Sequence, residues 1–518
     1  MITPRDIGLP EKFSSFRSYP GFSQWDTAVD ISSSDQRVTG ICMPPGGGKS
    51  LTLMTVSRII DAPRTLYLTV NKPLQNQLMS DFGSSALRLF NLTGHSSYPC
   101  ASRLYDDTGD LSNLECSELR EDCPYWLDVK TSLSRTHICS NYHNWISIAK
   151  ANDPDRFGKF DLLILDEAHN LESLLCDLLS IKLSKRSMWE LINVNIPSDS
   201  ALSTWIQWAH NSISHCESAL YESRRVDKLD GNVESPNTKR IKRLMENLLT
   251  ISLITDEWVI ESTSTGVQLT PVFAENYIEK YLFRGIPRII LSSATLTSQD
   301  FHYLGLSPSS YDLFDIESGF DPVRRPFYYW PTLEVDYSTM QVEGCVRQLV
   351  NRFDRLIDPR LDRKGITHTV SYKFAELFYA TSRHKIITHK SHNSQLTISR
   401  FMSDPQPSHL ASPVINEGLD FDGDKARYQF FWKVPTLYSK NPLIAARKKK
   451  YKKYALHLAG KIILQSYGRI MRSTSDFGES FILDKHWGNW MQTAIPWPRY
   501  FKRAWITIRD IPDPLSFP

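Results

Sequence analysis

The chain has 518 residues, and its 60 Lys plus Arg against 57 Asp plus Glu leave a formal net charge of +3. At ~100 to 200 residues per domain this length predicts three or four folding units and excludes a small disulfide-stapled scaffold, while the balanced charge selects no partner. With 41% hydrophobic and 23% charged residues the composition is globular; no apolar run approaches the ~18 residues of a membrane span, and the opening MITPRDIGLPEKF lacks the form of a signal peptide, so a reducing cytoplasmic setting is expected.

Short apolar, β-branched runs alternate with helix-period segments at both ends of the chain, the pattern of parallel sheets with helices on their faces. Strands are predicted at 38–42, 65–70, 137–141, 161–166 and 288–293, then at 365–370, 385–388, 428–434 and 480–483. Amphipathic helices are predicted at 373–383 and 456–471. Two stretches break the rhythm. Residues 100–136 are polar and contain cysteines. Residues 171–285 read as a helical insertion: Ile241, Leu244, Met245, Leu248 and Leu249 form one stripe, and the polar stretch 222–238 reads as a loose loop between two helices.

The fold class expected is therefore α/β, with two similar α/β domains and two inserts in the first. The parts are 1–99, 137–170 and 286–320 for the first domain, 100–136 for the Cys-containing insert, 171–285 for the helical insertion and 321–518 for the second domain.

The strongest local signal is MPPGGGKS (43–50), between an apolar strand and a helical stretch. Glycines let main-chain N–H groups turn toward a phosphate chain at a helix N-terminus, Lys49 supplies a cation to the terminal phosphates, and the Ser50 hydroxyl reaches Mg²⁺. Met43 stands where the general pattern has its first glycine. Further on, the strand 161–166 runs into Asp166-Glu167-Ala168-His169. Asp166 is suited to hold Mg²⁺, and Glu167 to orient or deprotonate an attacking water. The strand 290–296 ends in Ser-Ser-Ala-Thr. Late in the chain QSYGRIMR (465–472) sets Gln465, Arg469 and Arg472 along one helix face, where guanidinium groups would reach a γ-phosphate from a second domain.

Together MPPGGGKS, DEAH, SSAT and QSYGRIMR resemble motifs I, II, III and VI of superfamily 2 helicases of the XPD/DinG type. LYLTVNKPLQNQ (66–77), SNYH (140–143), KGITHTVSYK (364–373) and SPVINEGLDF (412–421) are similar to further blocks of that family, so the resemblance runs from about Phe16 to Asp484. It implies two RecA-like domains with ATP and Mg²⁺ between them. It carries catalytic roles to Lys49, Asp166, Glu167, His169, Gln465, Arg469 and Arg472. Nucleotide contacts go to Gln24, Pro45, Gly46, Gly47, Gly48, Lys49, Ser50, Leu51, Asp166, Glu417, Gly418 and Asp420, with Arg17 and Gln24 as an upstream adenine-recognition element and Gln24 as the base contact. The metal would be held by Ser50 and Asp166. The compact inserts resemble those of phage-encoded relatives.

The resemblance also implies a cysteine-ligated [4Fe–4S] cluster between motifs I and II. Cys100, Cys116 and Cys123 match its ligand segments, but a complete cluster needs four thiolates. Three readings stay open: an intact iron–sulfur centre, a zinc site or incomplete ligand set, and plain structural cysteines. Cys42, Cys139, Cys176, Cys216 and Cys345 read as packing residues. So do Trp189, Trp205, Trp208 and Trp258, with base stacking as the alternative. The basic run 447–453 reads either as a phosphate contact or as a solvated helix face, and the resemblance puts Lys72 at the strand-binding face.

The function expected is an ATP-dependent helicase acting as a monomeric motor on single-stranded and forked DNA, moving 5′ to 3′, with RNA left open and no membrane partner. The alternatives are a translocase or remodelling motor without strong unwinding, and a non-catalytic nucleic-acid-binding scaffold.

Overall fold

The computed structural model describes residues 2–517, apart from 85, 99–122, 152, 154, 231–233, 416–418, 438–440, 472–475 and 492–494. Of the predicted Cys-containing insert only 123–136 is therefore described, as a helix Pro124–Leu133 that begins after Cys123. Cys100 and Cys116 lie outside the described residues.

Two seven-stranded sheets dominate. The first has the order Tyr311–Asp315, Val38–Cys42, Arg288–Ser293, Leu162–Asp166, Thr65–Thr69, His137–Asn141, Phe90–Asn91. Each neighbouring pair is parallel. Its central strands are buried along their whole length. Helices cover both faces, which is why these strands read as continuous apolar runs rather than as an alternation. The second sheet has the order Ile386–Ile387, His409–Ser412, Gly365–His368, Tyr428–Phe431, Glu479–Asp484, Phe327–Leu333, Trp505–Thr507, again parallel throughout.

The predicted strands are all present, three of them with the predicted bounds and the rest within three residues at either end. Five further strands of these two sheets were not predicted: Phe90–Asn91, Tyr311–Asp315, Phe327–Leu333, His409–Ser412 and Trp505–Thr507.

The insertion at 171–285 departs from the expected all-helical form. Ile181–Ser184, Gly266–Pro271 and Trp258–Ser262 make a three-stranded antiparallel sheet, on which the helices Lys185–Ile192, Leu202–Leu229 and Pro236–Ile251 pack. The helical hairpin is present, but its first helix continues well into the stretch expected to be a loop. Asp227 explains this. Its carboxylate accepts from Ser235 N at 3.0 Å and Thr238 Oγ1 at 2.6 Å, pinning the start of the next helix to the end of the last. Ile241, Leu244 and Leu248 are buried as the stripe predicts, whereas Leu249 is 47% exposed. Trp205 and Trp258 are buried; with Trp208 they spend their indole N–H groups on Asp199 O, Tyr277 Oη and Asn195 O, so these three pack. Trp189 is 53% exposed.

The two large sheets share one apolar core. Leu291 and Phe301 of the first belong to the same cluster as Tyr467, Trp497 and Phe501 of the second. The C-terminal segment adds polar ties across the seam: Tyr500 Oη donates to Ala294 O at 3.0 Å, and the Arg499 N–H donates to Asp315 at 3.1 Å. Among the described residues no helix is long and apolar enough to cross a membrane.

Candidate active site

Strand Val38–Cys42 delivers the chain to the glycine loop, and helix Lys49–Ile60 leaves it. Gly46 and Gly48 have φ of +73° and +81°, which only glycine adopts without strain. Met43 is not among the positive-φ residues, so no glycine is required there; it is fully buried and lies beneath Gly47, whose added Cβ would meet Met43 Cγ at 2.8 Å. The loop thus presents the N-terminus of a helix, with its unpaired N–H groups and positive dipole end, to the neighbouring strand tips.

Those tips carry the acidic pair. Lys49 Nζ lies 2.6 Å from Glu167 Oε1 and 3.8 Å from Asp166 Oδ1. Burial acts to raise the Glu167 carboxyl, but Lys49 and His169 outweigh it and hold it well below the usual range. Asp166 moves the other way: burial and the adjacent Glu167 charge raise it against the pull of Lys49. Glu167 has a left-handed backbone, φ +52° and ψ +39°, a cost of about 1 to 2 kcal/mol held in place by its surroundings.

Two tyrosines not singled out in the sequence support Asp166. Tyr67 Oη donates to Asp166 Oδ2 at 3.1 Å and is hydrogen-bonded to Ser50. Tyr142 Oη donates to Asp166 O at 2.8 Å. Ser50 and Asp166 therefore converge on one point beside the loop. A hard divalent cation suits this pair, because buried carboxylate charge that Lys49 does not fully offset is what such an ion would neutralise. Among the described residues no group of three or more His, Cys, Asp or Glu side chains is arranged to hold a metal. Cys123 is half-buried at the start of its helix, and Cys42, Cys139, Cys176 and Cys216 are buried free thiols.

His169 joins the two domains. Gln465, from helix Tyr454–Tyr467, donates its amide to His169 Nε2. The other ring nitrogen, Nδ1, faces Ser293 Oγ at 2.7 Å and Glu167 Oε2 at 3.2 Å. One ring thus touches the strand ends of DEAH and SSAT and the QSYGRIMR helix. Beyond it, a Cβ at Gly468 would meet Pro45 Cγ at 2.6 Å, so the end of that helix abuts the glycine loop.

Other predicted residues lie differently. Gln24 is buried, donating to Gly47 O at 3.0 Å and accepting from Arg17 N at 2.7 Å, contacts with the main chain that prop the loop. Arg469 rests on its own domain, against Leu419 O at 3.2 Å and Asp420 Oδ1 at 3.5 Å. Arg472, Glu417 and Gly418 lie outside the described residues. Lys72 is exposed at the start of helix Lys72–Phe82. The basic run divides: Arg447 turns inward to Glu172 at 2.8 Å and Val272 O at 2.7 Å, and Lys450 pairs with Glu275, while Lys449, Lys452 and Lys453 stay exposed. Neither a phosphate contact nor a solvated face describes all of it.

The family described as "Helicase C-terminal domain" matches residues 362–497, and that described as "Type III restriction enzyme, res subunit" matches residues 18–202. These two matches support a superfamily 2 helicase, and the motifs of the chain resemble those of the XPD/DinG type. The chain is an ATP-dependent helicase enzyme. Solved structures share its fold: one titled "XPD_Helicase" at 15% identity and a TM-score of 0.60, covering 93% of this chain and 98% of that one, and Xpd4 from S. tokodaii at 12% identity and a TM-score of 0.60, covering 94% and 98%. No curated protein matches it.

Proposed function

We propose that this helicase hydrolyses Mg-ATP in the cleft between its two domains to move 5′ to 3′ along single-stranded DNA and to open forked duplex, as a monomer. The observation that carries the reading is the His169 bridge, which connects the carboxylate beside the phosphate cradle to the helix of the other domain. A change at the γ-phosphate is thereby felt as a change in the seam between domains, which is what a strand motor requires.

In this reading Lys49 leaves Glu167 for the β- and γ-phosphates, and Glu167 is freed to orient and deprotonate the attacking water. A bound Mg²⁺, held by Ser50 and Asp166, supplies charge neutralisation at the phosphates. Gln465 holds the His169 ring, and Arg469 swings from Asp420 to the developing charge, joined by Arg472. Lys72 and the exposed lysines of 449–453 contact the strand's phosphates. The polarity and the DNA substrate follow from the family likeness.

The test is strand separation on forks with a 5′ or a 3′ single-stranded tail, with DNA and RNA versions of each. ATP-dependent opening of the 5′-tailed DNA fork alone is expected. Equal opening of both polarities, or preference for RNA, would overturn the assignment. Strand-stimulated ATP turnover without fork opening would support a translocase that does not unwind.

A further inference from the structure

The helix that carries Gln465 bears two more polar side chains at four-residue spacing, His457 and Lys461, so all three lie along one face. That face is buried against the first domain. Lys461 Nζ donates to the main-chain carbonyl of His169 at 2.6 Å and to Asp300 Oδ1. His457 Nε2 lies 3.1 Å from the same Asp300 oxygen. Asp300 is fixed from its own side as well, its Oδ2 accepting from Thr297 N at 2.8 Å and Thr297 Oγ1 at 3.1 Å. The side chains of Lys461 and Asp300 are each 5% exposed, and that of His457 is 0% exposed.

We propose that Lys461 and Asp300 are positioning residues for ATP hydrolysis, acting through His169. This rests on the reading of the cleft as the ATP site. Asp300 sits in the first turn of the helix that follows SSAT, and Lys461 one turn before Gln465. Their ion pair therefore ties the segment after SSAT to the QSYGRIMR helix, while the second donor contact of Lys461 grips the DEAH turn by its backbone. Gln465 then needs only to meet a ring whose main chain is already held.

The physical reason for a switch-like role is burial. A paired ammonium and carboxylate this deep are tolerated because each satisfies the other, and separating them inside the protein is costly. Parting the domains exposes both to water, where the pair is worth little. On this proposal the seam opens and closes between two arrangements, and the closed one brings Gln465 onto His169. Lys461 is what the sequence reading passed over, because its partners lie 161 and 292 residues away in the chain.

The experiment compares the full chain with Lys461→Met, Lys461→Arg, Asp300→Asn and the double Lys461→Met/Asp300→Asn, with Lys49→Ala as control. It reads steady-state ATP hydrolysis at saturating oligo-dT, the KM for ATP, binding of a fluorescent ATP analogue and thermal unfolding. The expected result is a fall in kcat of about tenfold or more in Lys461→Met with ATP KM and analogue affinity within about twofold, recovery to within about threefold in Lys461→Arg, and a double variant no slower than the slower single one. A Lys461→Met kcat within about twofold of the parent, or a loss confined to KM, would overturn the proposal. If Lys461→Met does not fold, Lys461→Gln, which keeps a donor toward His169 O but not the charge, is read by the same criteria. Absence of hydrolysis in the parent chain would instead overturn the reading of the site.

Discussion

Tyr142 donates its hydroxyl hydrogen to the carbonyl oxygen of Asp166 at 2.8 Å from a ring that is 1% exposed. The Asn-Tyr-His segment, where the strand His137–Asn141 runs into the helix Tyr142–Lys150, thereby fixes the main chain at the tip of the next strand but one. Tyr142→Phe keeps the packing and leaves that buried carbonyl one donor short, at about 1 to 3 kcal/mol. ATP turnover should fall by about 3- to 10-fold with little change in ATP KM, measured by steady-state hydrolysis.

Glu167→Gln keeps the shape of the DEAH turn and removes the base. Hydrolysis should drop by about 10²-fold or more. Nucleotide binding should persist or tighten, because Lys49 loses the carboxylate that now competes with phosphate for it. Titration with a fluorescent ATP analogue checks this.

Arg360 and Glu479 form a two-pronged pair in the second domain, at 2.8 and 2.6 Å, with side chains 0% and 1% exposed. Glu479→Leu strands a buried guanidinium and should cost about 3 to 5 kcal/mol in urea unfolding. Arg360→Met with Glu479→Leu should recover much of that loss.

Acid should destabilise the fold before the carboxylates titrate. Burial pushes His409 down to about 3 and His137 down to about 4, from about 6.5 in the unfolded chain. Between pH 6.5 and 4 the unfolded chain binds more protons than the folded one, so stability falls as pH falls, by up to about 1.4 kcal/mol per pH unit for each ring. Urea midpoints at pH 7.5, 6 and 5 should decline in that order, and His409→Gln should flatten the decline.

Much of this was legible in the chain. The strand at 38–42, the glycine loop and the DEAH strand are contiguous, and a strand followed by a phosphate loop and helix has few other uses. Tyr311–Asp315 was missed because an edge strand half-buried throughout, with Asp312 and Asp315, carries no apolar run. His409–Ser412 was missed because its four residues are too few to show a period. The antiparallel hairpin at 258–271 was masked by the stronger helical stripe before it. In the site, Lys49, Asp166 and Glu167 announced themselves by motif. Tyr67, Tyr142, Asp300 and Lys461 did not, because each acts through a partner on another element, and that pairing exists only once the sheets are assembled.

The account stands or falls on ATP hydrolysis in the presence and absence of single-stranded DNA, measured on the full chain and on Lys49→Ala. It predicts turnover that rises at least about tenfold with added strand and disappears in Lys49→Ala. Turnover indifferent to the strand, or undiminished without the Lys49 ammonium, would contradict it.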